Sequence, residues 1–148
     1  MDRGVAVALA TVIGGTLALQ GPLNSLLGRS VGGLTASVVA FTVGLLALLA
    51  VSVLAGGLGG VADVGDAPWW AIVGGGLISA LYVASIVWTV RALGAGGLTA
   101  ATIAGQFTIA VLVDHFGWLG VERSPITASK LAGLALLAAG TWLVVRPD

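Results

Sequence analysis

The chain has 148 residues, of which 58% are hydrophobic and only 8% charged, with six basic and six acidic side chains, one histidine and no cysteine. A soluble domain needs a charged shell of about a quarter of its residues. With a mean hydropathy of +1.12, lipid therefore has to be the solvent for most of this surface. Zero net charge argues against a nucleic-acid partner, which calls for a basic patch. The lack of cysteine excludes thiol chemistry, disulfides and cysteine metal sites, and one histidine does not make a multi-histidine metal site. The composition calls for no cofactor.

A bilayer core of roughly 30 Å takes about 20 apolar residues per helix, and five such runs follow one another along the chain. The first is Gly4–Leu27. Arg3 precedes it as in a secretory signal, but the run is longer than a signal core and four more follow, so it reads as a membrane helix. Within it Thr16, Gln20 and Asn24 recur at i, i+4 and i+8 on one face. Pro22 cannot donate to the carbonyl of Ala18, and its ring crowds the preceding turn. A kink or break of the helix is therefore expected at Gly21 and Pro22. Two amide side chains beside a broken helix are the usual material of a solute site, the plain alternative being hydrogen bonds to a neighbouring helix.

The second run, Thr35–Gly56, follows a break containing Gly28, Arg29, Gly32 and Gly33. The third, Pro68–Val90, follows Asp63 and Asp66 and starts with an acceptor and a proline, a helix-start signature. Trp69 and Trp70 read as an aromatic belt at the interface, with a cage for a cationic solute as the alternative. Ser79, Tyr82, Ser85 and Thr89 form a polar stripe along this run. The fourth run, Leu98–Val113, follows Arg91, Gly94, Gly96 and Gly97, and its helix is expected to continue through His115. Thr102, Gln106 and Asp114 share one of its faces, with Gln106 near mid-span. Asp114 and His115 fall at the interface. They could carry a coupling proton, since histidine titrates near neutral pH, or could cap the helix and hydrogen-bond across the loop. The fifth run, Ile126–Val145, has little polar content beyond Thr141 and suits packing or dimer contact.

These runs are continuously apolar, without the two-residue alternation of a membrane β-barrel. The expected fold is all-α: a single domain over residues 1–148 with five transmembrane helices at about 4–27, 35–56, 68–90, 98–115 and 126–145. In such helices small residues allow close packing, which suffices for most of the 24 glycines.

Cytoplasmic loops normally carry the excess of lysine and arginine. With five spans, Arg3, Arg123 and Lys130 fall on one side and Arg29, Arg91 and Arg146 on the other, three against three. The balance leaves two readings open: one orientation fixed by context, or dual topology, in which oppositely inserted copies pair. The second would make the chain half of a ten-helix inverted-repeat dimer, the plan by which many transporters build two access states. The partner would be a second copy or a paralogous half.

Several motifs resemble the YdcZ-like family of the drug/metabolite transporter superfamily. They are the run Gly15–Gln20–Pro22–Asn24, the stretch Pro68–Trp69–Trp70 leading to Gly74–Gly75–Gly76 and Tyr82, and Gly105–Gln106 followed by Asp114–His115–Phe116–Gly117. Lys130 and Gly133 match the opening of the family's last helix. The resemblance spans essentially the whole chain and implies a five-helix half-size transporter in the inner membrane, with no substrate attached. The motif positions it carries over are Gln20, Asn24, Tyr82, Gln106, Asp114 and His115.

The expectation is a multi-pass secondary transporter of a small organic solute, working as an antiparallel dimer in the bilayer. Gln20, Asn24 and Gln106 contact the solute, Tyr82 shapes the pocket, and Asp114 and His115 are the coupling candidates. The alternatives are a passive dual-topology channel and a non-transporting partner subunit. No nucleophile–base pair or metal cluster marks an enzyme. No acidic residue lies in mid-span, unlike the buried glutamate of small multidrug exporters.

Overall fold

The computed structural model describes residues 2–147, and all regular structure among them is helical. Helix α1 spans Arg3–Val31, α2 spans Gly33–Leu54, α3 spans Trp69–Phe116 and α4 spans Ala128–Val145, with 3-10 turns at Gly57–Asp66 and Trp118–Gly120. These four helices are long and apolar enough to cross a membrane. Helix α3, at 48 residues, would measure about 72 Å if straight, more than twice the hydrocarbon thickness. It is divided at Gly94, whose φ of 69° and ψ of 173° leave the helical region. The two arms, residues 69–93 and 95–116, are each long enough for one crossing. The chain is thus an all-α polytopic membrane protein.

The breaks are shorter than the sequence suggested. Residues 91–97 were expected to form a loop, yet only Gly94 departs from helical geometry. Between α1 and α2 the connection narrows to Gly32 alone, at φ 84° and ψ 153°. Both glycines occupy a backbone region essentially closed to other residues, so one residue does the work of a loop. Of the kink or break expected at Gly21 and Pro22, the break does not occur, since α1 continues through Pro22 to Val31. Proline removes one N–H donor and leaves the Ala18 carbonyl without its i+4 partner. In a long helix otherwise held on both sides, that loss is local. The last helix starts at Ala128 rather than Ile126, because the Thr127 side chain caps it by accepting from the Lys130 amide at 3.2 Å.

The chain divides into two compact units between Arg91 and Ala92. In the first, α2 folds back along α1, and the first arm of α3 packs on both. Val83, Ile86, Val87 and Val90 are buried, spaced i, i+3, i+4 and i+7 as one helix face. Val87 rests on two glycines: a Cβ at Gly28 would lie 3.1 Å from its Cγ1, and one at Gly33 would lie 3.2 Å from it. The Ser37 hydroxyl donates to Gly33 O at 3.1 Å and to Val83 O at 3.4 Å, tying α2 to α3. A Cβ at Gly28 would also come within 3.6 Å of Arg91 Nη2. That places the guanidinium near the C-terminal end of α1, where the helix dipole favours a cation.

In the second unit the arm 95–116 and α4 form an antiparallel pair. A Cβ at Gly97 would lie 3.5 Å from Val145, and one at Gly133 would lie 3.9 Å from Phe107. Between these contacts the Thr141 hydroxyl donates to Ala100 O at 3.1 Å. The expected packing role of the last helix is thus seen at Gly133 and Thr141, while Gly140 faces open space. Elsewhere large apolar side chains are turned outward, among them Leu48 at 69% and Leu136 at 74% exposure.

The glycine contacts make a prediction. Gly28→Leu should destabilise the protein by about 1–3 kcal/mol through overpacking, read by thermal or denaturant unfolding in detergent. Adding Val87→Ala should recover part of that loss. Gly74→Ala, where nothing lies within 4 Å, should not destabilise, and should raise stability by no more than about 1 kcal/mol.

Candidate functional site

Gln20 and Asn24, one turn apart on α1, lie against α2 in a concavity of ≈ 440 Å³ that also includes Thr16 and, from α2, Val39, Ala40 and Val43. A second concavity of ≈ 340 Å³ also includes Gln20 and is lined by Ala40, Phe41, Gly44 and Val83 among others. Gln20 is common to both and is half-buried. The volumes fall in or near the range of small-molecule sites. The helix period put Thr16, Gln20 and Asn24 on one face, and all three line this concavity.

Asn24 is 6% exposed, and its Nδ2 is buried without a hydrogen-bond partner. Leaving a buried polar group unsatisfied costs about 1–3 kcal/mol, so a carboxamide here is not explained by packing. The hydroxyls nearby are different. Thr16 donates to Ile13 O at 2.7 Å and Thr42 to Val38 O at 2.9 Å. Along the first arm of α3, Ser79 donates to Gly75 O, Ser85 to Tyr82 O and Thr89 to Ser85 O. The serines and threonine of that polar stripe are therefore satisfied by carbonyls of their own helix. Its packed face is the apolar one, from Val83 to Val90.

Pro22 is exposed while Asn24 is buried. Two residues apart, they lie roughly 160° from one another around the helix. The proline irregularity and the amide pair therefore occupy different faces, and the site does not include the freed carbonyl. Tyr82 is 38% exposed and lies next to Val83, which lines the second concavity, without lining it itself. Gln106 belongs to the other unit and is exposed on its helix.

Asp114 and His115 are engaged locally. Glycine in the left-handed region at Gly117, φ 67°, ends the helix and turns the chain back. Asp114 O accepts from Ser124 N at 2.8 Å, and His115 O accepts from Arg123 Nε at 3.0 Å. His115 Nδ1 accepts from Ile126 N at 3.2 Å, which requires that nitrogen to be unprotonated. Lys130 Nζ donates to Ser124 Oγ at 2.9 Å and lies 3.9 Å from Asp114 Oδ2. These contacts fasten the 117–127 segment across the helix ends. They match the second of the two roles expected for the pair, bonding across the loop. Phe116 and Trp118 stack at 4.8 Å, and Arg146 lies 5.3 Å over the Trp142 ring. Both arrangements suit residues placed at an interface.

Sequence reasoning found the α1 contribution but named nothing from α2. The signal there was faint: Ala40 and Gly44, four apart, are small residues that leave room beside Gln20. Among the described residues no group of three or more histidine, aspartate or glutamate side chains could hold a metal.

Comparison with known families matches residues 5–143 to the one described as "Putative inner membrane exporter, YdcZ". No curated protein and no solved structure gives a match.

If the Asn24 carboxamide is held for a ligand, removing it should not harm the fold. Asn24→Leu is expected to leave stability unchanged or raise it by about 1 kcal/mol, by eliminating the orphaned donor. A loss of 2 kcal/mol or more in the same unfolding assay would mark Asn24 as a packing residue.

Proposed function

The chain belongs to the YdcZ family of inner-membrane proteins, described as exporters, and on that premise we propose that it is a secondary transporter that exports a small organic solute. It is a multi-pass protein of the inner membrane. In this reading the solute binds beside Gln20 and Asn24. The observation that carries it is the buried, unpartnered Nδ2 of Asn24, a residue that lines a concavity of ligand size. Polar groups inside a membrane are expensive and mark solute pathways, and of the two amides of α1, the more deeply buried lacks a partner. Tyr82, adjoining the second concavity, shapes the approach. Asp114 and His115 remain the candidates for proton coupling.

The working form in this proposal is an antiparallel dimer of oppositely inserted copies, or of one copy with a paralogous half. Its support is the balance of three basic residues against three across the spans. Five helices repeated in inverted orientation would supply the two access states of an alternating carrier.

The test of the transport reading is untargeted mass spectrometry of medium from cells producing the protein. At least one small organic species should accumulate outside in proportion to expression. Gln20→Ala and Asn24→Leu should each lower that accumulation by about tenfold or more, equivalent to about 1.4 kcal/mol of lost solute interaction. Unchanged export in both folded variants would remove the site assignment. For coupling, His115→Gln and Asp114→Asn should abolish export driven by a pH gradient while sparing downhill flux. Reporters fused after Asp148 should be active on both sides of the membrane. Activity on one side only would replace the dual-topology homodimer with a fixed orientation.

A further inference from the structure

We infer that the solute taken by the α1–α2 site is uncharged, with a hydrogen-bonding oxygen at one end and an apolar body. This rests on the reading of that site as a solute pocket and adds the chemical class. The inference comes from an inventory of the lining. None of the residues lining the two concavities is charged; beyond Thr16, Gln20 and Asn24 they are leucine, valine, alanine, glycine and phenylalanine. Thr16 has already committed its hydroxyl proton to Ile13 O at 2.7 Å. What the wall offers a ligand is therefore two carboxamides, one of them buried and unsatisfied, set in aliphatic surroundings.

An anion would meet neither arginine nor lysine there, and a cation would meet no carboxylate. In a low-dielectric site an ion without a counter-charge is strongly disfavoured. A neutral amide, alcohol or ketone meets no such penalty. Its oxygen can take the Asn24 or Gln20 donor, and a hydroxyl or amide can also give a proton to a carboxamide oxygen. A purely apolar molecule would leave Asn24 as it stands, unpartnered. The aromatic ring of Phe41 and the side chains of Leu45 and Leu48 line the second concavity. There the non-polar end of the solute would exchange water or lipid contact for protein contact.

Four probes of similar shape separate these cases: benzamide, benzoate, benzamidinium and toluene. Each is titrated against the purified full-length protein in detergent, and saturable protection from thermal unfolding is measured. Benzamide should half-saturate at least tenfold below each of the other three. That preference should vanish in Asn24→Leu and in Gln20→Leu, so that if one variant fails to fold the other still reports. Benzoate or benzamidinium protecting as well as benzamide, toluene doing so, protection by none of the four, or a preference that survives both substitutions would each overturn the inference.

The export measurement above fails in a different way. If the benzamide preference is present and no exported species depends on Gln20 and Asn24, the transport reading falls and the site chemistry stands. If an ion is exported in a manner dependent on both residues, transport stands and the proposed solute class falls.

Discussion

In a hydrocarbon solvent no water is at hand to complete an unfinished hydrogen bond, and ten serine and threonine hydroxyls of these helices meet that constraint on backbone carbonyls. Thr11, Thr16, Thr42, Ser79, Thr89, Thr99 and Thr108 each turn the hydroxyl back onto a carbonyl of the preceding turn. Ser37 and Thr141 reach a carbonyl on another helix as well or instead. Against that pattern, the Asn24 carboxamide nitrogen stands apart, because it is both buried and without a partner. A serine or threonine can fold back in this way because its hydroxyl sits one atom from Cβ. Asn24 Nδ2 is left without a partner at a buried position. The site is legible as the place where the general rule is not obeyed.

The same solvent dictates how the helices associate. Lipid tails are as apolar as leucine, so contact is favoured only where surfaces fit closely. In the first unit the fit is Val87 seated on Gly28 and Gly33. In the second it is Val145 against Gly97 and Phe107 against Gly133. Many other glycines, including Gly14, Gly74 and Gly105, have nothing near them. They mark surface that these contacts do not use, in keeping with the proposal that the chain is half of a larger assembly.

Much of this was legible in the amino-acid sequence, because apolar length and helical period are direct physical signals. The helical runs, the shared face of Thr16, Gln20 and Asn24, and the loop role of Asp114 and His115 follow from spacing and position. The family membership followed from motifs such as Gly105–Gln106 and Asp114–His115. What spacing could not convey was how a glycine would be used. Gly28, Gly33, Gly96 and Gly97 were read as parts of breaks, but Gly28 lies inside α1, Gly33 opens α2, and Gly96 and Gly97 lie within α3. Among the glycines of these two breaks, Gly32 and Gly94 take the positive-φ conformation that interrupts a helix. Propensity treats all six alike, and only tertiary contact distinguishes a packing glycine from a turning one. Pro22 does not end its helix, since one missing donor is a local loss where the helix continues on both sides.

The single-residue connection at Gly32 has a consequence for how the protein is made. Helices joined by one glycine have no slack with which to seek distant partners, so α1 can meet α2 as soon as both are in the bilayer. Contacts between chain neighbours form quickly because little chain entropy is lost in closing them. The two walls of the groove beside Gln20 and Asn24 are therefore set by the first hairpin to form, and the later helices are added to a cleft whose lining is already in place.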